Sequence, residues 1–338
     1  MSVTIAAREI HLKSRPAGLP GPENFELVER RLSAPADGQL LVRSLWMSVD
    51  PYMRGRMVDR PSYIAPFQVG QPLEGAAVGV VEQSAAPGFK PGDMVTHFSG
   101  WRDRAVIDAA TVAKIDPAAP LQAWLGPLGV PGQTAHAGLT HIAGLREGDT
   151  VFVSAAAGAV GSMAVQIAKI KGARVIGSVG TEDKARWVRD ELGADAVINY
   201  RTAGDLTRAL AEAAPQGIDV YFDNVGGDHL DAALAVANKF ARFAIGGMIA
   251  QYNDEVPPPG PRNLAALIGK RIRMQGYIIL DHPDLTPSFT HEMLGWLAEG
   301  RIKSRDTVVE GLENAPKAFI GLFSGDNTGK MLVKLTDG

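Results

Sequence analysis

The sequence predicts an α/β protein with two domains, a doubly wound parallel sheet and a smaller, mainly β domain. Within 126–290, short apolar segments alternate with helical ones, which is typical of a parallel sheet with helices on both faces. Within 1–125, proline and glycine separate short strands at irregular intervals, which indicates a mainly β domain. The predicted strands of the parallel sheet are 151–153, 174–178, 196–198, 220–223, 242–245 and 273–279.

The two ends of the chain are predicted to share one domain. The segment 291–338 opens on an amphipathic helix predicted at 289–297 and ends in a strand-like run at 330–335. Because the 126–290 domain already has its six strands, we expect this tail to return to the 1–125 domain. The strands predicted in that first domain include 39–45, 76–83 and 94–97.

Composition narrows the class of protein. Of the 338 residues, 46% are hydrophobic and 21% are charged, which is the balance of a globular protein with a sizeable core. A formal net charge of −3 gives no electrostatic footprint for nucleic acid. The absence of cysteine excludes disulfides, thiolate nucleophiles and cysteine-ligated zinc. With no signal-peptide pattern and no apolar run of membrane-spanning length, the sequence favours a cytoplasmic enzyme with no membrane partner.

A glycine turn joins a predicted strand to a predicted helix at 150–170. In the pattern G-x-G-x-x-G, Ala156 stands at the first glycine position, while Gly158 and Gly161 keep the second and third. A helix that starts directly after a strand presents unpaired N–H groups and the positive end of its dipole, which suits a phosphate. The turn therefore predicts a dinucleotide site.

The next strand favours NADP over NAD. A site for NAD places an Asp or Glu at the end of this strand to bond the ribose 2′-hydroxyl, but the strand here ends in Ser178 and Val179. Lys184 follows in the next helix and Arg201 follows the third strand. Removing an anion and adding cations favours a 2′-phosphate.

Two phrases carry a family resemblance. With a dinucleotide site and no nucleophile or zinc pattern, hydride transfer by the cofactor is the simplest chemistry. The phrases at 47–54, MSVDPYMR, and 221–227, YFDNVGG, resemble the zinc-independent branch of the medium-chain dehydrogenase/reductase family. That branch holds prostaglandin reductase, also called leukotriene B4 dehydrogenase, with 2-alkenal double-bond reductases and curcumin reductases. The resemblance implies a GroES-like domain, a Rossmann domain that binds NADPH, and a homodimer.

The resemblance also predicts that no metal is bound. Where zinc-dependent relatives have their ligands, this chain has Ser48, Leu73 and Val130. Leucine does not ligate zinc, and without a Lewis acid the oxidation of an alcohol lacks several kcal/mol of stabilisation, on the order of what a metal supplies. Hydride addition to a conjugated enone or enal needs less help, because the charge moves to the carbonyl oxygen.

The resemblance assigns cofactor contacts along the chain. Gly158, Ala159, Val160 and Gly161 are expected to meet the pyrophosphate, and Lys184 and Tyr200 the 2′-phosphate. Asn224 is expected near the ribose or nicotinamide, although an Asx turn would also explain it. The remaining expected contacts are Gly246 and the segment from it to Tyr252, Tyr277, Ile278 and Ile279 along the nicotinamide half, and Asn327 from the tail.

Tyr252 and Tyr52 are the candidate catalytic residues. A phenol beside the nicotinamide can donate to a developing enolate oxygen, which is the role predicted for Tyr252. Tyr52 could meet the substrate, or it could be packed core. Several members of the branch carry a tyrosine five residues before a methionine that corresponds to Met274, whereas this chain has Gly269 there. The donor is therefore Tyr252, Tyr52, the cofactor ribose or water.

The function predicted from the sequence is NADPH-dependent reduction of the C=C bond of α,β-unsaturated aldehydes or ketones. The alternatives are an NADPH quinone reductase and a non-catalytic NADPH-binding protein. Met53, Met57, Tyr63 and Phe67, near the predicted substrate side, favour a small hydrophobic or aryl-bearing enone.

Overall fold

The computed structural model describes residues 4–256 and 258–335, and these form two compact units. Unit 1 comprises the chain up to Leu125, Asp306–Asn327 and the chain from Met331 onward. Unit 2 comprises Gly126–Arg305 and Thr328–Lys330. Among the described residues, no helix combines the length and the apolar character needed to cross a bilayer.

Unit 1 is mainly β. Its larger sheet has the order β14-β15-β3-β4-β5-β7, with β6 pairing to β3, and β1 and β2 form an antiparallel pair. Phe25 stacks on Trp101 with ring centroids 6.0 Å apart, and Phe319 meets both rings edge-on, so the tail completes this core. Its elements are β1 Ile5–Leu12, β2 Phe25–Leu32, β3 Gln39–Ser48, α1 Met53–Arg56, β4 Ala77–Ser84, β5 Met94–His97, β6 Arg104–Asp108, β7 Ala113–Lys114, β14 Asp306–Glu310, α9 Ala315–Ser324 and β15 Lys330–Lys334, whose first residue belongs to unit 2.

Unit 2 holds the parallel sheet. Its order is β10-β9-β8-β11-β12-β13, all parallel, so the chain runs outward from β8 in one direction and then outward from β11 in the other. This is the dinucleotide-binding order, and ligands of such sheets lie at the carboxyl ends of the strands near the reversal. The strands are β8 Thr150–Val153, β9 Arg174–Val179, β10 Ala196–Asn199, β11 Ile218–Asp223, β12 Ala237–Ile245 and β13 Arg273–Gly276.

Helices cover both faces of this sheet. The central strands are buried on both sides, which explains why β8 and β11 are nearly continuous apolar runs. Helix α3 is similarly buried along most of its length, so its sequence is almost wholly apolar. The helices of unit 2 are α2 Val130–Ala137, α3 Ala159–Ile170, α4 Glu182–Arg186, α5 Leu206–Ala213, α6 Gly227–Val236, α7 Ala266–Lys270 and α8 Thr286–Ala298, and a π-helical turn, Gly138–Ile142, continues α2.

The predicted fold class is confirmed, while several boundaries differ from the sequence prediction: β12 begins earlier, at Ala237, β13 ends earlier, at Gly276, and the tail leaves unit 2 later. The helix expected at 289–297 is α8, and it packs in unit 2: Phe289 and Trp296 both lie against His136 of α2. Residues 291–305 therefore stay with the parallel-sheet unit, and the return to unit 1 begins at Asp306. The amphipathic pattern showed that α8 needed a partner face, but it did not show which domain supplies that face.

Candidate cofactor and active site

The glycine turn delivers the chain from β8 into α3 as predicted. Ala155 takes the left-handed conformation with φ of 49°, and Gly158 precedes the first helical residue. The N–H of Ser162 donates to the carbonyl of Gly158 at 2.9 Å, so the N–H groups of Ala159, Val160 and Gly161 precede the first intrahelical bond. In the described chain, no side chain caps this helix. Its open start fits a phosphate.

Packing explains which glycines the turn requires. A Cβ on Gly161 would lie 2.8 Å from the carbonyl carbon of Ala155, so the first turn of the helix rests directly on the turn backbone. Ala156 is fully buried, and a Cβ on Gly177 of β9 would come within 2.8 Å of the Ala156 methyl group. The alanine at the first motif position is therefore accommodated by a glycine on the neighbouring strand.

Tyr200 and Arg201 meet at the end of β9, and the helix that carries Lys184 begins there. A Cβ on Gly180 would lie 2.9 Å from the Tyr200 hydroxyl oxygen and 3.3 Å from Arg201 Nε, so both side chains lie over this glycine. Thr181 caps α4 by accepting from the backbone N–H of Lys184 at 3.3 Å, which fixes the start of that helix beside Gly180. A guanidinium and a phenol thus share one strand end, which fits an added phosphate.

A buried histidine supports Tyr200 from below. His229 of α6 is 6% exposed, and its ring meets that of Tyr200 edge-on with centroids 5.1 Å apart. Burial lowers the pKa of His229 to about 4, against a small opposing effect of Asp228. The histidine is therefore neutral at neutral pH and packs as an aromatic ring.

Asp223, at the end of β11, organises the turn beside the reversal of strand order. Its Oδ1 accepts from the hydroxyls of Tyr221 and Ser154 at 2.7 and 3.1 Å, and from the N–H groups of Val225 and Gly226, both at 2.8 Å. Burial raises the pKa of this carboxyl, and the four hydrogen bonds only partly offset that effect. Asp223 could not be assigned this role from the sequence, because Ser154 is 69 residues away and joins the other donors only in the fold.

Asn224 joins two strand ends instead of forming an Asx turn. Its Nδ2 donates to the carbonyl of Ser154 at 2.7 Å, and its own N–H donates to the Ser154 hydroxyl at 2.8 Å. The Asx turn at this place belongs to Asp223, whose carboxylate receives the next two N–H groups after Asn224. Because one of its two amide N–H donors is used by Ser154, Asn224 has its side-chain oxygen and the second N–H to offer a ligand.

Tyr252 folds back onto the end of β12. Its hydroxyl accepts from the N–H of Met248 at 3.2 Å, and a Cβ on Gly247 would lie 3.3 Å from that hydroxyl. Gly246 and Gly247 both donate their N–H groups to the carbonyl of Asp223, which ties this loop to the strand ends. Burial raises the pKa of Tyr252, with Asp223 adding to the effect, so the phenol keeps its proton.

Tyr277 is buried, and its hydroxyl is already engaged. The hydroxyl donates to the carbonyl of Thr134 at 2.9 Å, and burial raises the pKa of Tyr277. A Cβ on Gly138 would lie 2.7 Å from Tyr277 Cζ, and one on Gly246 would lie 3.1 Å from its hydroxyl, so the ring fills a slot between two glycines. This leaves only the backbone of Tyr277 for a ligand. Ile278 and Ile279, which follow, are half-buried.

The tail reaches the glycine turn through Gly329. Its N–H donates to the carbonyl of Ala157 at 2.8 Å, and Gly158 and Gly329 form a parallel bridge. A Cβ on Gly329, whose φ is 70°, would lie 2.7 Å from the carbonyl carbon of Arg305, so glycine is required by both conformation and space. The sequence analysis named Asn327, which is half-buried in unit 1, and did not single out Gly329.

In unit 1, Tyr52 lies among polar groups at the edge of the core. It is half-buried, packs against the apolar cluster that contains Met53, and begins helix α1. Burial raises the pKa of Tyr52; Asp50, Tyr63 and Glu74 add to this and Arg56 opposes it. The phenol is protonated at neutral pH and can act as a donor.

Three of the residues expected to face the substrate are instead core. Met53 and Met57 are fully buried and Phe67 is 2% exposed, all within one apolar cluster of unit 1. That prediction was wrong, because apolar side chains near a site are not distinguishable by sequence from those beneath it. Tyr63, at 55% exposed, remains accessible to a ligand, and Leu19 at 53% joins it as an exposed apolar side chain of the same unit.

The positions that hold zinc in related enzymes carry other chemistry here. Leu73 is fully buried in the core of unit 1, and Ser48 is buried with its hydroxyl bonded to the carboxylate of Asp50. Val130 is the first residue of α2 and is 47% exposed. Within 4–256 and 258–335, no three His, Asp or Glu side chains stand together as a metal site would require.

Comparison with known proteins identifies the family. A family model described as the N-terminal domain of oxidoreductase matches residues 8–115, and one described as zinc-binding dehydrogenase matches 159–299. The chain is 42% identical over 330 residues to the NADPH-dependent curcumin reductase of Escherichia coli, covering 96% of this chain and 95% of the relative. It is 39% identical to the NADP(+)-dependent 2-alkenal reductase of Nicotiana tabacum, covering 99% of each.

A solved structure agrees over the whole fold. CurA of Vibrio vulnificus in complex with NADPH superposes with a TM-score of 0.93 at 44% identity, covering 98% of this chain and 100% of that one. The resemblance in the two sequence phrases is thereby confirmed. The chain belongs to the medium-chain dehydrogenase/reductase family, in the branch of the curcumin, 2-alkenal and prostaglandin reductases.

Proposed function

We propose that this protein is an NADPH-dependent reductase of the C=C bond of α,β-unsaturated aldehydes and ketones. The observation that carries the proposal is the strand end at Gly180, beside an open helix start. Tyr200 and Arg201 lie over this glycine and the helix of Lys184 begins next to it, where an NAD site has a carboxylate. The names of the relatives support both parts: one is an NADPH-dependent curcumin reductase, one an NADP(+)-dependent 2-alkenal reductase, and the Vibrio protein was solved with NADPH.

The chain's own residues bind the cofactor and orient it. Bound NADPH supplies the hydride that adds to the substrate β-carbon, while the α-carbon takes a proton. The N–H groups of Ala159, Val160 and Gly161 hold the pyrophosphate at the helix start, with Gly158 leaving room for its approach. Lys184 and Tyr200 hold the 2′-phosphate. The cofactor site is completed by Asn224 through its side-chain oxygen, by Gly246, Tyr277, Ile278 and Ile279 through the segments that carry them, and by Asn327.

Tyr252 polarises the substrate carbonyl in this proposal. Because its oxygen accepts the N–H of Met248, its own hydrogen is free to point at another acceptor. Its raised pKa keeps that hydrogen in place at neutral pH, as a donor to a developing enolate requires. Tyr52 is the second proposed donor, from unit 1. We expect Tyr252→Phe to lower kcat for an enone by about 10- to 1,000-fold, with a small change in the NADPH KM. Tyr200→Phe, at the 2′-phosphate side, is measured for comparison. Full turnover by Tyr252→Phe would exclude a role for its hydroxyl in polarising the carbonyl.

The decisive experiment compares acceptors. The purified protein is mixed with NADPH and either benzylideneacetone, a 2-alkenal or menadione, and cofactor oxidation is followed by absorbance. We expect turnover of the enone and enal, with the saturated carbonyl compound as the product by mass spectrometry. Faster turnover of menadione would make the protein a quinone reductase. NADPH binding with no turnover of any acceptor would make it a binding protein.

The reaction is proposed to proceed without a metal. The support is chemical: Leu73 has no ligand atom and its side chain is part of the core, and Val130 has none either. Activity is expected to survive dialysis against a chelator. If dialysis abolished the activity and added zinc restored it, this proposal would be contradicted.

We propose that the protein is a homodimer. Strand β13 stands at the edge of the parallel sheet with all four residues exposed, among them Met274 at 37%. Phe240 of the neighbouring strand β12 and Ile268 of α7 are 64% and 81% exposed. An exposed edge with apolar neighbours is suited to pairing with the same edge of a second copy. Sedimentation should give twice the 35.8 kDa of one chain, and Ile268→Asp should shift it towards one chain.

We propose the cytoplasm as its location. The support is that a chain of 338 residues without cysteine does not depend on an oxidising compartment for its stability. Fractionation of the cells that produce it, followed by immunodetection, tests this.

A further inference from the structure

A partly buried charged cluster lies behind the segment proposed to face the nicotinamide. His136 of α2 donates through Nε2 to Glu292 of α8 at 2.6 Å, and Lys171, just after α3, donates to the other oxygen of Glu292 at 2.7 Å. His136 is 5% exposed. Burial acts to raise the pKa of Glu292, but the hydrogen bonds from Lys171 and His136 outweigh it, so the carboxylate is ionised.

Aromatic rings hold the same cluster in place. His136 meets Phe289 edge-on with ring centroids 5.7 Å apart, and it lies 6.3 Å from the ring of Trp296. Lys171 Nζ lies 5.3 Å from the centroid of Trp296. One face of α8 is therefore fixed to α2 and to the end of α3 by both charge and packing.

Tyr277, fifteen residues before Glu292, is a second anchor to the same helix, α2. The Tyr277 hydroxyl donates to the carbonyl of Thr134, and its ring fills the slot between Gly138 and Gly246. Tyr277 follows β13 directly, at the carboxyl edge of the sheet where a ligand of this fold lies. Thr134 and His136 thus hold opposite ends of one segment.

The segment between the anchors, 278–285, has mainly local bonds of its own. The N–H of Asp281 donates to Ile278, that of His282 to Ile279, and that of Leu285 to His282, all within short 3-10 turns. These bonds shape the segment, and the ring of His282 within it packs on His141, of the turn that continues α2, with centroids 5.1 Å apart. The position of the segment relative to the sheet therefore depends on α2 as well as on the two ends.

We propose that Lys171, Glu292 and His136 form a clamp that, together with the Tyr277 to Thr134 bond, positions segment 278–285 and so the nicotinamide for hydride transfer. The clamp residues are positioning residues, since they act through Ile278 and Ile279 and do not themselves touch the reacting atoms. The inference rests on the proposed function, because that function places the nicotinamide beside this segment. Under this proposal, the rate of hydride transfer depends on residues at the outer side of the site, away from the reacting atoms.

The test separates the two ends of the cofactor. Glu292→Ala and Glu292→Gln are compared with wild type for kcat and for the Kd of two ligands, NADPH and 2′-phospho-ADP-ribose, which lacks the nicotinamide. Misplacing reacting atoms by an ångström lowers rates by about 100-fold, so we expect kcat of Glu292→Ala to fall by about 10- to 100-fold. The Kd of NADPH should rise, while that of 2′-phospho-ADP-ribose stays within about twofold of wild type.

Controls distinguish the clamp from a general loss of stability. Glu212→Gln removes the charge from an exposed ion pair with Arg208 in the same unit and should change none of these values. Lys171→Arg should retain more activity than Lys171→Met. If Glu292→Ala does not fold, Glu292→Gln and Tyr277→Phe provide the same contrast, since each keeps the shape of its side chain.

The experiment distinguishes failure of the clamp from failure of the proposed function. An equal loss of affinity for both ligands, or a kcat within about twofold of wild type for Glu292→Ala, would overturn the clamp. If the wild-type protein reduces no enone, the proposed function fails, while the contrast between the two ligands still tests the clamp without any turnover. A selective loss of NADPH affinity then supports it.

Discussion

The two ends of the proposed cofactor site are built differently. The adenosine side, residues 180–184 and 199–201, is partly exposed and held by short-range contacts such as the Thr181 cap. The nicotinamide side, residues 246–252 and 277–279, also includes a contact between groups far apart in the chain, the bond from Tyr277 to Thr134, which spans 143 residues. The first side supplies charge and the second supplies position.

This difference has a physical cause. A phosphate is recognised by charge and hydrogen-bond donors, which work at a solvent-exposed strand end and tolerate small displacements. Hydride transfer depends on alignment of the reacting atoms, which requires a rigid, packed support. The glycine slot around Tyr277 and the hydrogen bonds to Asp223 provide that support. Substitutions on the two sides should therefore fail in different ways.

The largest expected effect on the choice between NADPH and NADH is on the adenosine side. Lys184→Ala removes a charge-assisted contact worth about 1.5–3 kcal/mol, so kcat/KM for NADPH should fall by about 10- to 150-fold. Turnover with NADH, which has no 2′-phosphate, should change little. Lys239→Ala, at another exposed lysine of unit 2, is the matched control. Equal losses with both cofactors would show that Lys184 does not read the phosphate.

A smaller effect is expected from closing the slot of Tyr277. Gly138→Ala places a methyl group 2.6 Å from Phe222 Cε2 and against the Tyr277 ring, so overpacking should lower the free energy of unfolding by about 1–3 kcal/mol. Gly295→Ala is the contrast, because nothing lies within 4 Å of the added methyl in α8. That change should stabilise by about 0.5–1 kcal/mol. Denaturant unfolding measures the free energy of unfolding of both variants. Equal changes in the two would contradict the tight packing of Tyr277 against Gly138.

The last effect appears only below pH 6.5 and concerns the ring beneath Tyr200. His229 has a pKa of about 4 in the folded protein against its ordinary 6.5, so the unfolded chain binds the proton first as the pH falls. The folded state therefore loses about 1.4 kcal/mol per pH unit between these two values, and this contribution is fully present above 6.5. His229→Phe should remove that slope and leave the similar contribution of buried His97. An unchanged slope, with exposed His291→Phe as control, would contradict it.

The sequence predicted the parts of the site that follow from local rules. A strand, a glycine turn and a helix make a phosphate site wherever they occur, and Lys184 follows β9 closely enough to share its end. Asp223 and Gly329 were not assigned roles, because their partners, Ser154 and Ala157, are distant in sequence. Met53 and Phe67 were misassigned because burial beneath a surface and exposure on it look alike in an apolar residue.

The sequence by itself determined the fold class, the six-stranded sheet and the glycine turn, and it predicted cations at the proposed 2′-phosphate site. These depend on periodicity, turn chemistry and residue type, all of which act over a few residues. Only the tertiary structure decided that α8 stays with unit 2, that Tyr277 lies in a slot between Gly138 and Gly246, and that Glu292 links His136 to Lys171. Those features arise from contacts across more than 30 residues, and local pattern cannot select a partner among many surfaces of equal polarity.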